Sequence, residues 1–225
     1  MSSPYKTASV YTLGCKVNFT ETSTIARRFQ EQGLSLVSID EFADIYVINT
    51  CSVTENANTK CNRLIKKIRT TNPDAYIVIT GCYAQLKPTE LSKNKNINLV
   101  VGSDDKINIP DIIKNKIEDS VITSKVEDIS SFKVSYSTGD RVRSFIKVQD
   151  GCDYNCTFCT IPLARGKSRS SRISEVIKLT NSLEGQGFKE IVLSGINLGD
   201  FGNGSNESCY QLLKELLADP SVGDG

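Results

Sequence analysis

Short apolar runs recur along the N-terminal part of the chain, and three of them end on a cysteine. Each run is rich in β-branched and aromatic residues, which is typical of a β-strand. The three segments are residues 8–15 (ASVYTLGC), residues 44–51 (DIYVINTC) and residues 75–82 (AYIVITGC). The pattern therefore predicts three strands of similar length that each finish at a cysteine.

Stretches with helical spacing separate these runs. Apolar residues one turn apart predict a helix over residues 20–32, and Gly33 has the position of a helix-ending residue. Ser52 and Glu55 have the spacing of a capping box, which predicts a second helix that reaches about Arg69. Strands that alternate with helices form parallel sheets, so we expect an α/β fold with both sheet faces covered.

A similar alternation begins again in the second half, after a polar stretch. The predicted elements are a strand over residues 143–150, a helix over 174–186, a strand over 189–195 and a helix over 208–217. We therefore expect an N-terminal α/β domain over residues 1–128, a linker over 129–142 and an incomplete second domain over 143–225.

The strand-ending cysteines Cys15, Cys51 and Cys82 are far apart in sequence. The carboxyl ends of parallel strands meet at one edge of a sheet, where ligands of open α/β sheets bind. We therefore expect these thiols to approach one another and to form a metal site. The alternative is that they are merely small buried side chains, because unpaired cysteine is among the most buried residue types.

Two further cysteines have the spacing of core residues. Cys61 shares a helical stripe with Leu64, Ile65 and Ile68, and Cys209 precedes leucines at helical spacing. We expect both to be packing residues.

The amino-acid composition narrows the chemistry that the cysteines can serve. The 225 residues include eight cysteines and no histidine, which excludes a Ser-His-Asp triad, a Cys-His nucleophile and histidine-ligated zinc or haem. The net charge of +1 says nothing about partners. The apolar runs are too short to span a bilayer and Met1–Val10 has no signal-peptide apolar region, so we expect a cytoplasmic protein without membrane contact.

Cys152, Cys156 and Cys159 form a compact Cys-x3-Cys-x2-Cys motif. Three thiolates at this spacing can hold three corners of a [4Fe–4S] cluster and leave one iron open to a further ligand. A zinc site or a redox disulfide is the alternative, although zinc would want a fourth ligand nearby.

With Phe158 before its last cysteine, this motif resembles the signature of radical S-adenosylmethionine enzymes. An α/β domain with three dispersed cysteines before the motif is similar to the arrangement of the radical methylthiotransferases. The motif sequences most resemble those of the branch that acts on N6-threonylcarbamoyladenosine in tRNA. The matching motifs are residues 12–18 (TLGCKVN), 49–54 (NTCSVT), 81–86 (GCYAQL), 147–152 (KVQDGC) and 161–169 (IPLARGKSR).

The resemblance implies a tRNA methylthiotransferase with two [4Fe–4S] clusters. It implies that Cys152, Cys156 and Cys159 hold the cluster that cleaves S-adenosylmethionine to a radical, and that the three dispersed cysteines hold an auxiliary cluster involved in sulfur insertion. One S-adenosylmethionine would donate the methyl group and another would give the radical that abstracts hydrogen from C2 of the adenine. A tRNA and a small electron-donor protein are the implied partners.

Other functions remain open at this point. Relatives in the same family act on isopentenyladenosine in tRNA or on an aspartate of a ribosomal protein. A different class is a non-catalytic iron–sulfur electron carrier or metal-binding module, and another is a zinc-stabilised tRNA-binding module. Cleavage of S-adenosylmethionine and the identity of the metal separate these alternatives.

The residues expected around the cofactor and the RNA rest on weaker signals. The resemblance places Phe158 near the adenine of S-adenosylmethionine and Gly195 and Asn197 near its methionyl part; the alternatives are a packing residue and a turn. A basic run could contact RNA phosphates, or could simply be solvated: Arg165, Lys167, Arg169 and Arg172. A second basic group is expected to be a solvated helix face: Lys60, Arg63, Lys66, Lys67 and Arg69.

The resemblance also implies a longer protein. Family members complete a partial (β/α)6 radical S-adenosylmethionine barrel and then add a small β-barrel that binds tRNA, whereas this sequence ends two strand–helix units into the barrel. We therefore expect a truncated chain that turns over poorly or not at all alone.

Overall fold

The computed structural model describes residues 4–51, 55–116, 119–138 and 142–219. The chain divides into two compact units, residues 1–128 and residues 129–225. Among the described residues, no helix has the length and apolar character needed to cross a membrane.

The first unit is built on a six-stranded parallel sheet in the order β2-β1-β3-β4-β5-β6. Its strands are β1 (Thr7–Leu13), β2 (Ser35–Leu36), β3 (Ile45–Thr50), β4 (Tyr76–Gly81), β5 (Leu99–Val101) and β6 (Val121–Ile122). Its helices are α1 (Lys16–Glu31), α2 (Glu55–Thr71), α3 (Cys82–Leu86), α4 (Pro88–Ser92) and α5 (Ile109–Lys114), with 3-10 turns at Lys106–Asn108 and Val126–Asp128. The predicted parallel α/β fold is confirmed.

Both faces of this sheet are covered, which explains why the central strands are apolar over most of their length. Every residue of β3 is buried. On one face, Ile48 of β3 packs in a cluster that includes Ile65 of α2. On the other face, Val47 packs in a cluster that includes Phe29 of α1 and Ile109 of α5. Two-sided burial is the physical reason for the continuous apolar runs in the sequence.

The helix boundaries differ in part from the predictions. Helix α1 begins at Lys16, four residues before the predicted start at residue 20, with Cys15 as its N-cap residue. Its first turn, residues 16–19 (KVNF), mixes polar and apolar residues, so apolar spacing alone could not locate the start. Helix α2 runs to Thr71, two residues beyond the predicted end. The predicted capping box at Ser52 lies outside the described residues.

The second unit contains a three-stranded sheet in the order β11-β8-β7 and a two-stranded antiparallel pair, β10-β9. Its strands are β7 (Ser135–Tyr136), β8 (Arg143–Lys147), β9 (Gln149–Asp150), β10 (Arg169–Ser170) and β11 (Glu190–Ser194). Its helices are α6 (Ile161–Arg165), α7 (Ile173–Gly185) and α8 (Cys209–Ala218), with a 3-10 turn at Leu198–Asp200. Strands β8 and β11 pair in parallel across α7, as expected of a strand–helix–strand unit.

Two features of this unit differ from the sequence-based expectation. The predicted strand over residues 143–150 is divided at Val148, because Gln149 and Asp150 leave β8 and pair with β10 instead. The predicted linker over residues 129–142 contributes β7, which pairs antiparallel with β8, so this segment is part of the second unit.

Candidate functional site

The structure places the three dispersed cysteines at one edge of the first sheet. Cys15 lies just beyond the end of β1, Cys51 directly follows β3, and Cys82 opens α3 directly after β4. These strands are neighbours and their last residues are register partners. The cysteine backbones therefore lie along one continuous carboxyl edge.

The cysteine side chains are available as thiols but are not assembled as a ligand set. Cys15 is exposed, Cys51 is half-buried and Cys82 is buried. All eight cysteines of the chain lie within the described residues, and none forms a disulfide. Across the described ranges, no group of three or more cysteine, aspartate or glutamate side chains is positioned to hold a metal ion. The donor chemistry fits an iron–sulfur cluster, since thiolates are its usual ligands.

The compact cysteine motif forms a loop between β9 and α6. Cys156 is exposed, while Cys152 and Cys159 are half-buried. The Cys152 N–H donates to the Gly166 carbonyl at 3.1 Å, and the Cys159 N–H donates to the Cys156 carbonyl at 3.0 Å. The backbone of this cysteine loop is thus fixed at its start and closed by a turn at its end.

Gly151 allows the cysteine loop to begin close to the segment that follows α6. It has φ +74°, and a Cβ atom there would lie 2.0 Å from the Lys167 carbonyl oxygen. No side chain fits this position without displacing the backbone. From the other side, the Asp153 carboxylate accepts a hydrogen bond from the Ser168 N–H at 3.0 Å.

A buried carboxylate, Asp150, lies directly before this loop. It contacts Lys147 Nζ at 3.0 Å and Arg165 Nη1 at 2.8 Å, and the Arg169 guanidinium lies 3.6 Å away. It also accepts the Gly151 N–H at 2.9 Å. One carboxylate, directly before the cysteine loop, therefore lies close to three cations.

This arrangement corrects the predicted RNA-contacting run. Arg165 has a side chain only 1% exposed and is ion-paired with Asp150, so it cannot reach a phosphate in this fold. Arg169 is partly buried and donates to the carbonyls of Arg165 and Lys167. Lys167 and Arg172 are exposed. A basic run in sequence has thus divided into two internal and two external charges.

Gln149 joins the cysteine loop to the turn after β11. Its side chain is fully buried, and its Nε2 donates to the Gly151 carbonyl at 2.8 Å and lies 3.0 Å from Ser168 Oγ. Its Oε1 accepts the N–H groups of Ile196 and Asn197 at 2.9 and 2.8 Å. One amide therefore sets the position of three segments.

The three residues expected near the cofactor have different surroundings. Phe158, in the cysteine loop, is 92% exposed and does not pack against the described part of this chain. Gly195 lies against Gln149, whose Oε1 would be 3.0 Å from an added Cβ. The Asn197 side chain donates to Asp200 at 2.9 Å. The negative charge of Asp200, which also accepts a hydrogen bond from the Tyr154 hydroxyl, raises the pKa of Tyr154.

The two cysteines predicted as packing residues lie where core residues are expected. Cys61 is fully buried, and this burial raises the pKa of its thiol to about 12. Cys209 is half-buried against the core of the second unit. In α8 only part of the predicted leucine stripe is internal: Leu212 is buried, whereas Leu217 is exposed.

The basic group of α2 is largely solvated, as predicted. Lys60, Arg63 and Lys66 are exposed. Lys67 pairs with Asp40 at 2.7 Å on the surface. Arg69 is different, because its guanidinium donates to the Ala75 and Asn96 carbonyls and so joins the last turns of α2 to the segments before β4 and β5.

Sequence reasoning missed Gln149 and Asp150 as organising residues. Both lie in the 147–152 motif, but no spacing rule distinguishes a buried amide from a strand residue. The sequence signal that could have identified Asp150 is an acidic residue that directly precedes a glycine and lies between two cations. Gln149 has no such signal.

Comparison with known proteins shows which families this chain is similar to. Residues 7–102 match the model of "Uncharacterized protein family UPF0004". A "Threonylcarbamoyladenosine tRNA methylthiotransferase MtaB" from Aquifex aeolicus is 39% identical over 213 residues, covering 92% of this chain and 52% of the relative. The protein of the same name from Thermotoga maritima is 41% identical over 213 residues, covering 94% and 49%.

Other relatives have a different printed substrate. A "tRNA-2-methylthio-N(6)-dimethylallyladenosine synthase" from Christiangramia forsetii is 32% identical over 197 residues, covering 84% of this chain and 41% of the relative. The solved structure of the radical S-adenosylmethionine methyltransferase TsrM from Kitasatospora setae has a TM-score of 0.65 at 14% identity, covering 96% of this chain and 52% of that one. At this identity the structural likeness concerns the fold alone.

The fold is like that of a radical S-adenosylmethionine methyltransferase, and the sequence is similar to curated tRNA methylthiotransferases over most of this chain. Three relatives with 39–41% identity are named methylthiotransferases. The chain spans about half the length of the curated relatives it matches.

Proposed function

We propose that this chain is part of an enzyme that adds a methylthio group to C2 of N6-threonylcarbamoyladenosine in tRNA, next to the anticodon. The observation that carries this proposal is the 39% identity to two relatives named for that substrate, against 32% to a relative named for dimethylallyladenosine. The dimethylallyladenosine or isopentenyladenosine activity and the modification of a ribosomal protein aspartate are the competing outcomes.

In this proposal the cysteine loop holds one [4Fe–4S] cluster through Cys152, Cys156 and Cys159. When bound, the cluster supplies the electron that cleaves S-adenosylmethionine reductively. The loop backbone is fixed by Gly151, and the exposed Phe158 ring is free to stack on the adenine of the cofactor.

The turn after β11 has the task of orienting the methionyl part of the cofactor. Gln149 holds the N–H groups of Ile196 and Asn197, so the turn is ordered before any ligand binds. Gly195 keeps the approach to this turn free of a side chain. Preorganised polar groups bind a ligand at lower entropic cost than mobile ones.

The dispersed cysteines Cys15, Cys51 and Cys82 are proposed to hold a second, auxiliary cluster. Their backbones share the carboxyl edge of adjacent strands, and their thiols are not in disulfides. We further propose that Lys167 and Arg172 contact RNA phosphates, that a small electron-donor protein reduces the cluster of the loop, and that the enzyme acts in the cytoplasm, where its tRNA substrate is found.

The first test measures iron and acid-labile sulfide after anaerobic reconstitution. About eight irons per chain are expected, falling to about four in both Cys152→Ala and Cys51→Ala. Cys61→Ala is the matched control, because it removes a buried thiol from the first unit and belongs to neither proposed set of cluster ligands. Iron that falls equally in the control, or no iron in any variant, would contradict the proposed ligands.

The second test separates the substrates. This chain is fused to the remaining sequence of the Aquifex aeolicus relative and supplied with reductant, S-adenosylmethionine and tRNA carrying either modified adenosine. Mass spectrometry of digested tRNA should detect the methylthio form of threonylcarbamoyladenosine. Methylthiolation of the dimethylallyl nucleoside alone would refute the proposed substrate, and no 5′-deoxyadenosine from a folded, iron-loaded chain would refute the enzyme class.

A further inference from the structure

The edge that carries the three dispersed cysteines rests on a buried pair of amides, Asn18 and Asn49. Asn18 lies in the first turn of α1 and Asn49 near the end of β3, and both are at most 1% exposed. Asn18 Nδ2 donates to the Thr50 carbonyl at 2.8 Å and lies 3.3 Å from Asn49 Oδ1. In return, Asn49 Nδ2 donates to the Asn18 carbonyl at 3.0 Å.

Each of the three cysteines is preceded by a residue whose backbone touches this pair. A Cβ added at Gly14, before Cys15, would lie 2.6 Å from Asn18 Nδ2. A Cβ at Gly81, before Cys82, would lie 2.5 Å from Asn49 Oδ1. The third contact is the hydrogen bond from Asn18 to Thr50, the residue before Cys51.

The pair also reaches one cysteine directly. The Cys15 thiol donates to Asn18 Oδ1 across 3.4 Å. A carboxylate at position 18 would keep the shape of the side chain but could not donate to the Thr50 carbonyl.

We propose that Asn18 and Asn49 are positioning residues that hold the Cys15, Cys51 and Cys82 backbones together along one edge, from which their thiols bind the auxiliary cluster. This inference rests on the proposed function, because it assumes that the dispersed cysteines bind a cluster. Residues that orient metal ligands without binding the metal typically change metal affinity by about 10- to 100-fold when they are mutated.

A matched control is available in the same unit. Asn72 is also a buried asparagine, 2% exposed, and its Nδ2 donates to the Ala43 carbonyl at 2.8 Å. It follows α2 and precedes β4, so it lies at the amino end of the strand that leads to Cys82. Asn72→Ala should lower stability through a lost buried hydrogen bond without affecting the cysteine edge.

The test uses the full chain with Cys152, Cys156 and Cys159 all replaced by alanine, so that any iron reports on the dispersed cysteines. Asn18→Ala, Asn18→Asp, Asn49→Asp and Asn72→Ala are added singly to this parent. Iron and sulfide per chain, iron affinity against a competing chelator, the electron paramagnetic resonance spectrum of the reduced cluster and the thermal unfolding of the metal-free protein are measured.

The parent should retain about four irons. The Asn18 and Asn49 variants should lose about 10- to 100-fold in iron affinity and show a changed spectrum, while Asn72→Ala keeps both. The isosteric aspartate variants serve if Asn18→Ala does not fold. Unchanged iron affinity in all three edge variants, or an equal loss in Asn72→Ala, would overturn the inference while leaving the auxiliary cluster intact. A folded parent without iron would instead overturn the proposed cluster itself.

Discussion

Replacing Asp150 by Asn should destabilise the second unit far more than an ordinary change of charge. The carboxylate is ion-paired with Lys147 and Arg165, whose side chains are 3% and 1% exposed. An amide at position 150 leaves these cations buried beside a group that carries no charge. Its nitrogen is a hydrogen-bond donor, so only its oxygen can accept from them. Breaking a buried pair in this way costs about 3–5 kcal/mol.

The same unit contains a surface ion pair for comparison. Arg143 Nε lies 2.7 Å from Glu190 Oε2 across strands β8 and β11, but these side chains are 45% and 48% exposed. Exposed pairs contribute about 0–1 kcal/mol, so Glu190→Gln should have a small effect. Both substitutions turn a carboxylate into an amide, and they differ chiefly in burial.

The assay is urea and thermal unfolding of the metal-free chain, followed by a probe of the second unit such as hydrogen exchange of β8. For a unit of this size each kcal/mol shifts the melting temperature by about 4–8 °C, so Asp150→Asn should lower it by about 12 °C or more. If Asp150→Asn cost no more than Glu190→Gln, the reasoning from burial would be refuted.

Three further predictions follow from described contacts. Gly81→Ala should destabilise the first unit by clearly more than Gly33→Ala in thermal unfolding. Both glycines have positive φ, but an added Cβ would lie 2.3 Å from the Thr50 carbonyl oxygen at Gly81 and would meet nothing within 4 Å at Gly33. Equal effects of the two substitutions would contradict this contact. Burial raises the pKa of Cys61 to about 12 from an ordinary 9.0, so the thiol loses its proton at lower pH in the unfolded chain than in the folded one. The free energy of unfolding should therefore fall as pH rises from 9.0 to about 12, by up to about 1.4 kcal/mol per pH unit. Cys61→Ala should reduce this slope in urea titrations, and an unchanged slope would exclude the thiol as its source. Gln149→Ala should speed hydrogen exchange at Ile196 and Asn197 while Gln186→Ala, at an exposed amide at the end of α7, leaves it unchanged; equal exchange rates in the two variants would show that Gln149 does not order this turn.

The sheet of the first unit could be predicted because several levels of the sequence agree. The apolar run ending at Cys51 is a fully buried strand, and the run ending at Cys82 is a strand buried everywhere except at Tyr76; this continuity is visible without a structure. The helix of Ile25 and Phe29 was found from its apolar stripe, whereas its start at Lys16, in a turn of mixed polarity, was not. An element can be predicted from the sequence where its local pattern agrees with its burial in the folded structure.

The site was less predictable, for a physical reason. Arg165 and Lys167 look alike in a sequence, but one is buried against Asp150 and the other is exposed. The partner carboxylate lies 15 positions before Arg165, on a different element. Charge pattern alone describes the chain and not its packing, so internal and external cations cannot be told apart before the fold is known.

The two cysteine sets depend on folding to very different extents. Cys152 and Cys159 are 159 − 152 = 7 residues apart, so their thiols remain at high effective concentration relative to each other even in an unfolded chain. Cys15 and Cys51 are separated by 51 − 15 = 36 residues, and Cys51 and Cys82 by 82 − 51 = 31, so only the closed sheet brings them to one edge. A nascent or denatured chain can therefore engage metal or oxidant through the loop cysteines first, whereas the dispersed set becomes competent only after strands β1, β3 and β4 have paired.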